Sequence, residues 1–460
     1  MAFNWVYNFP EVNFPSQRRL PFKEKLKWTL IILVLFFVLG LVPLFGLGVN
    51  ALERFDYLSA IMAAEFGSLI SLGIGPIVTA SIVLQLLSGS GMVKFDTSTE
   101  EGKKKFHGVQ KWLAVAFVIF EAFVYVFMGG LSPPEALGGT AAYLSLQMIL
   151  VFQLFLGGLM IMFMDDVINK WGFGSGVSLF IAAGVSKTIV VRAFNPLPSP
   201  TNPEIASGAI PALIQHLAGG EPTAALLLIA GLAATAVVFA IAVFGQAMKV
   251  EIPLSFGRVR GYGIRWPLQF IYTSNIPVIL ISALIANIQL WARLLERWGY
   301  PLLGTFMGNT PATGIVSWLF APNIVEKLIT KSITLANVGQ ALFYVLFLVV
   351  GSVVFSVFWV QTSGMDARAQ AKNIMSSGLQ IPGFRRDERV LEHILNRYIW
   401  PLTIMGAIFI GILAGIADLS GALVQGTSLL LAVMIIYRLY EEIGTQHMYD
   451  MNPMLRKFME

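Results

Sequence analysis

Few of the side chains that usually carry chemistry are present, and those few are badly spaced for it. The chain has no cysteine, which excludes disulfides, thiolate metal sites and thiol nucleophiles. Its four histidines, His107, His216, His393 and His447, are too scattered to form a ligand pair at metal spacing. No G-x-x-x-x-G-K-S/T loop occurs, so the sequence holds no nucleotide motor. Gly172, Gly174 and Gly176 resemble a fragment of a phosphate loop, but they open an apolar run with no strand before it, and close helix packing accounts for them better. The expectation is a protein without cofactor, metal or catalytic residue.

Two kinds of charged residue remain. Glu121 is the only acid well inside an apolar run, and Lys187 lies near the outer end of another. An ion-coupled transporter usually needs several buried carboxylates or cations near the bilayer midplane, whereas a lone Glu121 fits a helix-packing role more simply. The other kind is arginine in two long loops, Arg258 and Arg260 within 248–266 and Arg385 and Arg386 within 359–397. Glycines beside them allow turns that project guanidinium groups into solvent, where they suit bidentate contacts to phosphate. RNA and anionic lipid both present that group, and charge alone does not choose between them.

Long apolar runs must position these residues. Lys, Arg, Asp and Glu make up 12% of the 460 residues, against roughly 25% in a soluble domain, and apolar residues make up 56%. Mean hydropathy is +0.73. Lipid is the implied solvent, and continuous runs without ten-residue alternation argue against a transmembrane β-barrel. The reading is an all-α polytopic membrane protein with ten spans, near 28–46, 70–90, 112–130, 143–163, 172–191, 223–246, 267–290, 337–359, 398–417 and 420–440. A further charge-free run, 298–325, carries Pro301, Gly304, Gly308, Pro311, Gly314 and Pro322 and reads as a surface loop. With ten spans and the amino terminus inside, 24 of the 31 Lys and Arg lie on the cytoplasmic side; counting an eleventh leaves 17 inside and 14 outside. Both termini are therefore expected in the cytoplasm.

Segment 1–27 lacks the apolar stretch and cleavage site of a signal peptide and reads as an amphipathic segment on the inner membrane surface. The spans divide into a first half, 28–191, and a second half, 223–440, joined by an external loop, 192–222, and followed by a cytoplasmic tail, 441–460. Five spans per half imply that any repeat is inverted. Each half has a polar, proline-bearing second helix, with Gly73-Ile74-Gly75-Pro76 in one and Ser274-Asn275-Ile276-Pro277 in the other. Matched helix breaks of this kind point to a functional centre.

Four stretches, LGIGPIVTASIVLQLL (72–87), FIYTSNIPVIL (270–280), QIPGFRRDE (380–388) and IIYRLYEE (435–442), resemble the SecY family, the pore-forming subunits of the protein-conducting translocon. RVRGYG and YTSNIP resemble its archaeal and eukaryotic branch more than its bacterial one. The resemblance implies an hourglass channel of two pseudo-symmetric halves, hinged at 192–222 and opening sideways into lipid. It implies a constriction ring of Ile74, Val78, Val177, Ile181, Ile276, Ile279 and Leu431, and a plug near Phe55–Glu65. Taken as bare residues, the ring would be ordinary packing, since apolar i,i+4 pairs are everywhere in membrane helices.

The resemblance further implies a lateral gate with Thr79, Ser81 and Gln85 facing Thr273, Ser274 and Asn275. Loops 248–266 and 359–397 would dock a ribosome through Arg258, Arg260, Arg385 and Arg386. The implied partners are a SecE-type and a Secβ-type subunit, with signal sequences and nascent polypeptides as clients, and the implied location is the plasma membrane. A narrow apolar ring has a physical rationale: it dewets and blocks ions without a fixed lid. Two other classes stand beside this one. One is an inverted-repeat secondary transporter of a small solute, which needs a midplane site; the other is a scramblase or passive scaffold, which the paired helix breaks disfavour.

Overall fold

Each expected apolar run coincides largely with one helix. The computed structural model describes residues 10–15, 20–50, 65–89, 92–93, 100–198, 204–256, 263–273, 276–307, 310–376, 379–380, 387–424 and 426–451. The first-half helices are α1 (Phe22–Gly40), α2 (Gly75–Gly89), α3 (Glu100–Phe127), α4 (Ala141–Trp171) and α5 (Gly176–Phe194). The second half contributes α6 (Pro222–Ala247), α7 (Ile276–Arg297), α8 (Leu335–Thr362), α9 (Glu388–Leu419) and α10 (Gly426–Met451). Among the described residues, seven helical segments are long and apolar enough to cross a bilayer on composition alone. The shortfall has plain causes: α1 opens on Lys23, Glu24, Lys25 and Lys27, α2 has 15 residues, and α10 carries Arg438, Glu441 and Glu442.

The run 298–325 is no span. It holds a short pairing of Phe306–Met307 with Thr310–Pro311 and a helix at Gly314–Trp318, as its prolines and glycines require. The helix breaks expected inside the second helix of each half turn out to be helix starts. Proline is the second residue of both α2 and α7, where a helix has no N–H to lose. The seventh span accordingly begins at Ile276 and not near 267, because residues up to Gln269 form a strand.

That strand belongs to the principal departure from a purely helical chain. The basic segment 248–266 is an antiparallel hairpin of β1 (Lys249–Phe256) and β2 (Gly263–Gln269), in register from Lys249↔Gln269 to Ser255↔Gly263. A third strand from the other arginine-bearing loop, β3 (Leu379–Gln380), pairs with β1 through Ser255↔Gln380 and Phe256↔Leu379. Both loops are thus one folded unit, with a small core in which Ile252 and Leu268 meet Ala371, Ile374, Leu391 and Leu395. The spanning part remains all-α.

Within segment 1–27, residues 10–15 and 20–27 are described. Residues 10–15 are non-helical and lie against the first half of α3 and the end of α4, where Glu11 pairs with Lys111 at 2.9 Å and with Lys170 at 3.0 Å. Among the described residues, the first helix begins at Phe22.

Small residues set the helix spacing. A side chain at Gly158 would come within 2.6 Å of Val118, so α4 and α3 touch almost backbone to side chain. In the second half Gly411 of α9 does the same against Val349 of α8, at 2.7 Å. The largest apolar cluster draws on both halves, from Ile32 and Phe36 of α1 through Ile181 of α5 and Ile279 of α7 to Leu431 of α10. The halves therefore share one core, and the constriction lies within it. Large apolar side chains exposed on the outer faces, such as Val34, Phe152, Phe244 and Leu346, are consistent with lipid as the surrounding solvent.

Candidate constriction and gate

Four helices deliver an apolar side chain to one point within six residues of their own starts. Val78 is the fourth residue of α2 and Ile279 the fourth of α7; Ile181 is the sixth of α5 and Leu431 the sixth of α10. Together with Ile74, Gly75, Ala283 and Asn287 they line a single cavity of about 10 Å³, room for no more than one water. Ile74, Val78, Ile181, Ile279 and Leu431 are all buried, at 7% exposure or less. Five of the seven expected ring residues thus meet. Val177 and Ile276 are partly buried and pack against the same cluster, but they do not line the cavity.

The residues expected along the gate divide differently. Thr79 of α2 accepts a hydrogen bond from the Nδ2 of Asn287 on α7 at 3.0 Å. Its hydroxyl donates to the Gly75 carbonyl at 2.8 Å, and the Oε1 of Glu121 on α3 lies 3.4 Å away. A hydroxyl has one proton, so the shorter bond takes it and Glu121 is held only loosely. Glu121 is buried between α3 and α2, a position that agrees with the packing role.

Ser81 is engaged by α3, accepting a 2.6 Å bond from Gln110. Gln85 is buried on α2. Thr273 is bonded at 2.8 Å to Ser356 of α8, within the second half. Ser274 and Asn275 lie outside the described residues, as do Arg258, Arg260, Arg385 and Arg386 and all of the Phe55–Glu65 stretch except Glu65. Glu65 forms an ion pair with Lys187 of α5. The second intramembrane charge noted in the sequence is therefore paired to the end of the stretch matching the plug.

Sequence reasoning missed Asn287. The signal was available: Ile279, Ala283 and Asn287 follow one another at i,i+4 spacing and share a helix face. Among the described residues, no acid, base or nucleophile lines the cavity.

Comparison with known proteins places this geometry in context. A family model described as SecY matches residues 68–440. The protein translocase subunit SecY of Methanothermobacter thermautotrophicus is 44% identical over 454 residues, covering 98% of this chain and 96% of that one. A solved structure described as that of a protein-conducting channel superimposes with a TM-score of 0.82 at 38% identity, covering 98% of both chains. Sec61 in a canine ribosome-channel complex from the endoplasmic reticulum matches with a TM-score of 0.79 at 37% identity, covering 98% of both chains.

Proposed function

The chain belongs to the SecY family, and on that premise we propose that it is the pore-forming subunit of an archaeal-type protein translocation channel. It passes unfolded secretory polypeptides across the plasma membrane and releases membrane helices sideways into lipid. The observation that carries this reading is the convergence of Ile74, Val78, Ile181, Ile279 and Leu431 on a cavity of about 10 Å³. A ring of this size made of aliphatic groups excludes water and ions at rest, and its flexible side chains conform around a passing chain of any sequence.

The sideways route follows from the contact between α2 and α7. Asn287 and Thr79 bridge these helices next to the ring. Parting them exposes a polar edge to the channel and an apolar bundle to lipid. A client segment then partitions by its own transfer free energy: an apolar one leaves and a polar one continues through. The protein works without covalent chemistry.

Both termini and the β1–β2–β3 sheet lie in the cytoplasm in this scheme. Arg258, Arg260, Arg385 and Arg386 belong to segments anchored on that sheet, and they meet ribosomal RNA phosphate. SecE-type and Secβ-type subunits complete the assembly, and Phe55–Glu65 is the plug. A small-solute transporter would need a midplane site, and the cavity here is too small and too apolar to be one.

The test is ion conductance of the reconstituted channel. Replacing Ile74, Val78, Ile181 and Ile279 together by Ser is expected to wet the constriction and make the membrane leaky. An unchanged seal would return these residues to ordinary packing and remove the basis of the proposal.

A further inference from the structure

Two aspartates stand at matching places in the two halves, and neither is explained by the constriction or the gate. Asp165, near the end of α4, accepts the backbone N–H of Val177, the second residue of α5, at 2.9 Å. Asp418, near the end of α9, accepts the backbone N–H of Thr427, the second residue of α10, at 2.6 Å. In each case the helix preceding a pore-lining helix supplies the carboxylate that caps it. The local cap of α5 is idle, since the Ser175 side chain makes no capping bond.

The match extends further. Both capped helices begin with glycine. A Cβ on Gly176 would stand 2.6 Å from the Asp165 Cα, and one on Gly426 would overlap the backbone of Ala417, next to Asp418. Each helix start is therefore pressed against the turn that bears the aspartate. One helical turn beyond each capped N–H comes the pore side chain: Val177 is followed by Ile181, and Thr427 by Leu431. Asp418 is buried, and its second oxygen accepts from the Tyr344 hydroxyl of α8 at 2.6 Å and from the Thr427 hydroxyl.

We infer that Asp165 and Asp418 are symmetry-related positioning residues that hold Ile181 and Leu431 in the closed ring by locking α5 to α4 and α10 to α9. The physical reason is that four N–H groups at a helix start lack internal partners, and an anion satisfies them and favours the positive end of the helix dipole. With the cap made, the ring side chain one turn on cannot swing outward unless the preceding helix moves with it. Opening then displaces α4 with α5, and α9 with α10, as pairs.

The inference rests on the constriction reading, and one set of reconstituted channels separates the two. Asp165→Ala and Asp418→Ala are each expected to raise the resting ion leak roughly fivefold to tenfold, the population shift that losing one helix cap produces. Asp165→Asn is expected to restore the seal, because the amide keeps one oxygen for the Val177 N–H, whereas the other side-chain partner, Asn169, lies on α4 itself and plays no part in joining the helices. Asp418→Asn is expected to remain leaky, because both of its oxygens accept bonds.

Thr403→Ala removes a buried hydroxyl from the same helix as Asp418 and is expected to lower thermal stability with the seal intact. Sealed Ala variants, or a Thr403 variant leaking as much, would overturn the inference. Should the Ala variants fail to fold, the Asn pair decides, and equal leaks at 165 and 418 would overturn it. A quadruple ring variant that keeps its seal sinks the constriction itself, whereas a leaking ring beside sealed aspartate variants sinks only the caps.

Discussion

At Gly157 a single added methyl group would overlap the Leu69 carbonyl oxygen, just ahead of the Gly73-Ile74-Gly75-Pro76 turn that opens α2. The packing there has no slack, so Gly157→Ala is expected to cost at least about 1–3 kcal/mol, the usual range for overpacking. Gly339 of α8 is the contrasting case, with nothing within 4 Å of where its Cβ would stand. Gly339→Ala is expected to gain up to about 1 kcal/mol by removing backbone freedom from the unfolded chain. Thermal melts of the two variants in detergent check both signs. A Gly157 variant as stable as the parent would show that the close approach is not maintained. Residues of this kind were hardly legible beforehand, since the cost of a glycine depends on what stands opposite it in space. The ring residues were legible only through family resemblance, because i,i+4 aliphatic pairs occur throughout such a chain. Asn287 could have been found from the sequence, as a polar residue on the Ile279–Ala283 face.

At the scale of elements, the ten helices were readable because charge-free runs have one physical reading, whereas their ends depended on local turns and caps. The β1–β2 hairpin was also readable in principle. Val250, Ile252, Leu254 and Phe256 alternate with other residues, as do Ile264, Trp266 and Leu268. Basic residues and prolines interleaved with it mask that period. The amino-terminal strap could not be foreseen, because it depends on α3 bringing Lys111 beside Lys170 at the end of α4. Lys170 contacts Glu11, donates to the Val12 carbonyl at 2.7 Å and lies 4.6 Å from the Phe14 ring centre, while the Trp171 indole donates to Asn13 at 2.9 Å. Partial burial pushes the Glu11 carboxyl up, but bonds to Lys111 and Lys170 outweigh that and hold it below its ordinary value of 4.5. A carboxylate with a lowered folded value stabilises fully above 4.5 and loses that contribution as the pH falls through the lowered value. The strap is expected to stay bound at neutral pH and detach on acidification below 4.5. Trp171 fluorescence reports the change, and Glu11→Gln should remove its pH dependence. A strap that stays bound to the same low pH in both proteins would refute the assignment.

Across the whole molecule, the two halves match to the residue at the constriction. Proline stands second in α2 and α7, and the ring side chain stands fourth in that pair and sixth in α5 and α10. The sequence disclosed the parity that permits such an arrangement and the matched prolines, but not the register of the ring, because inverted halves need share no visible similarity once each has its own lipid-facing surface. The seam between the halves gives the decisive experiment. Among the described residues, a hydrogen bond across this seam joins Thr79 to Asn287, whereas Ser81 is bonded to Gln110 of α3. The chain has no cysteine, so two thiols introduced at 79 and 287 can join only to each other within one molecule. Their parent side chains touch at 3.0 Å, within reach of oxidation or of a short bifunctional reagent if a disulfide needs closer Cα atoms than the helices allow. Bridging is expected to stop release of a hydrophobic client helix into lipid, and reduction should restore it. The same bridge at Ser81 and Asn287 should form poorly. If the bridged protein integrates a helical client as fast as the reduced one, then α2 and α7 do not part to let it out, and release must run through another seam of the bundle.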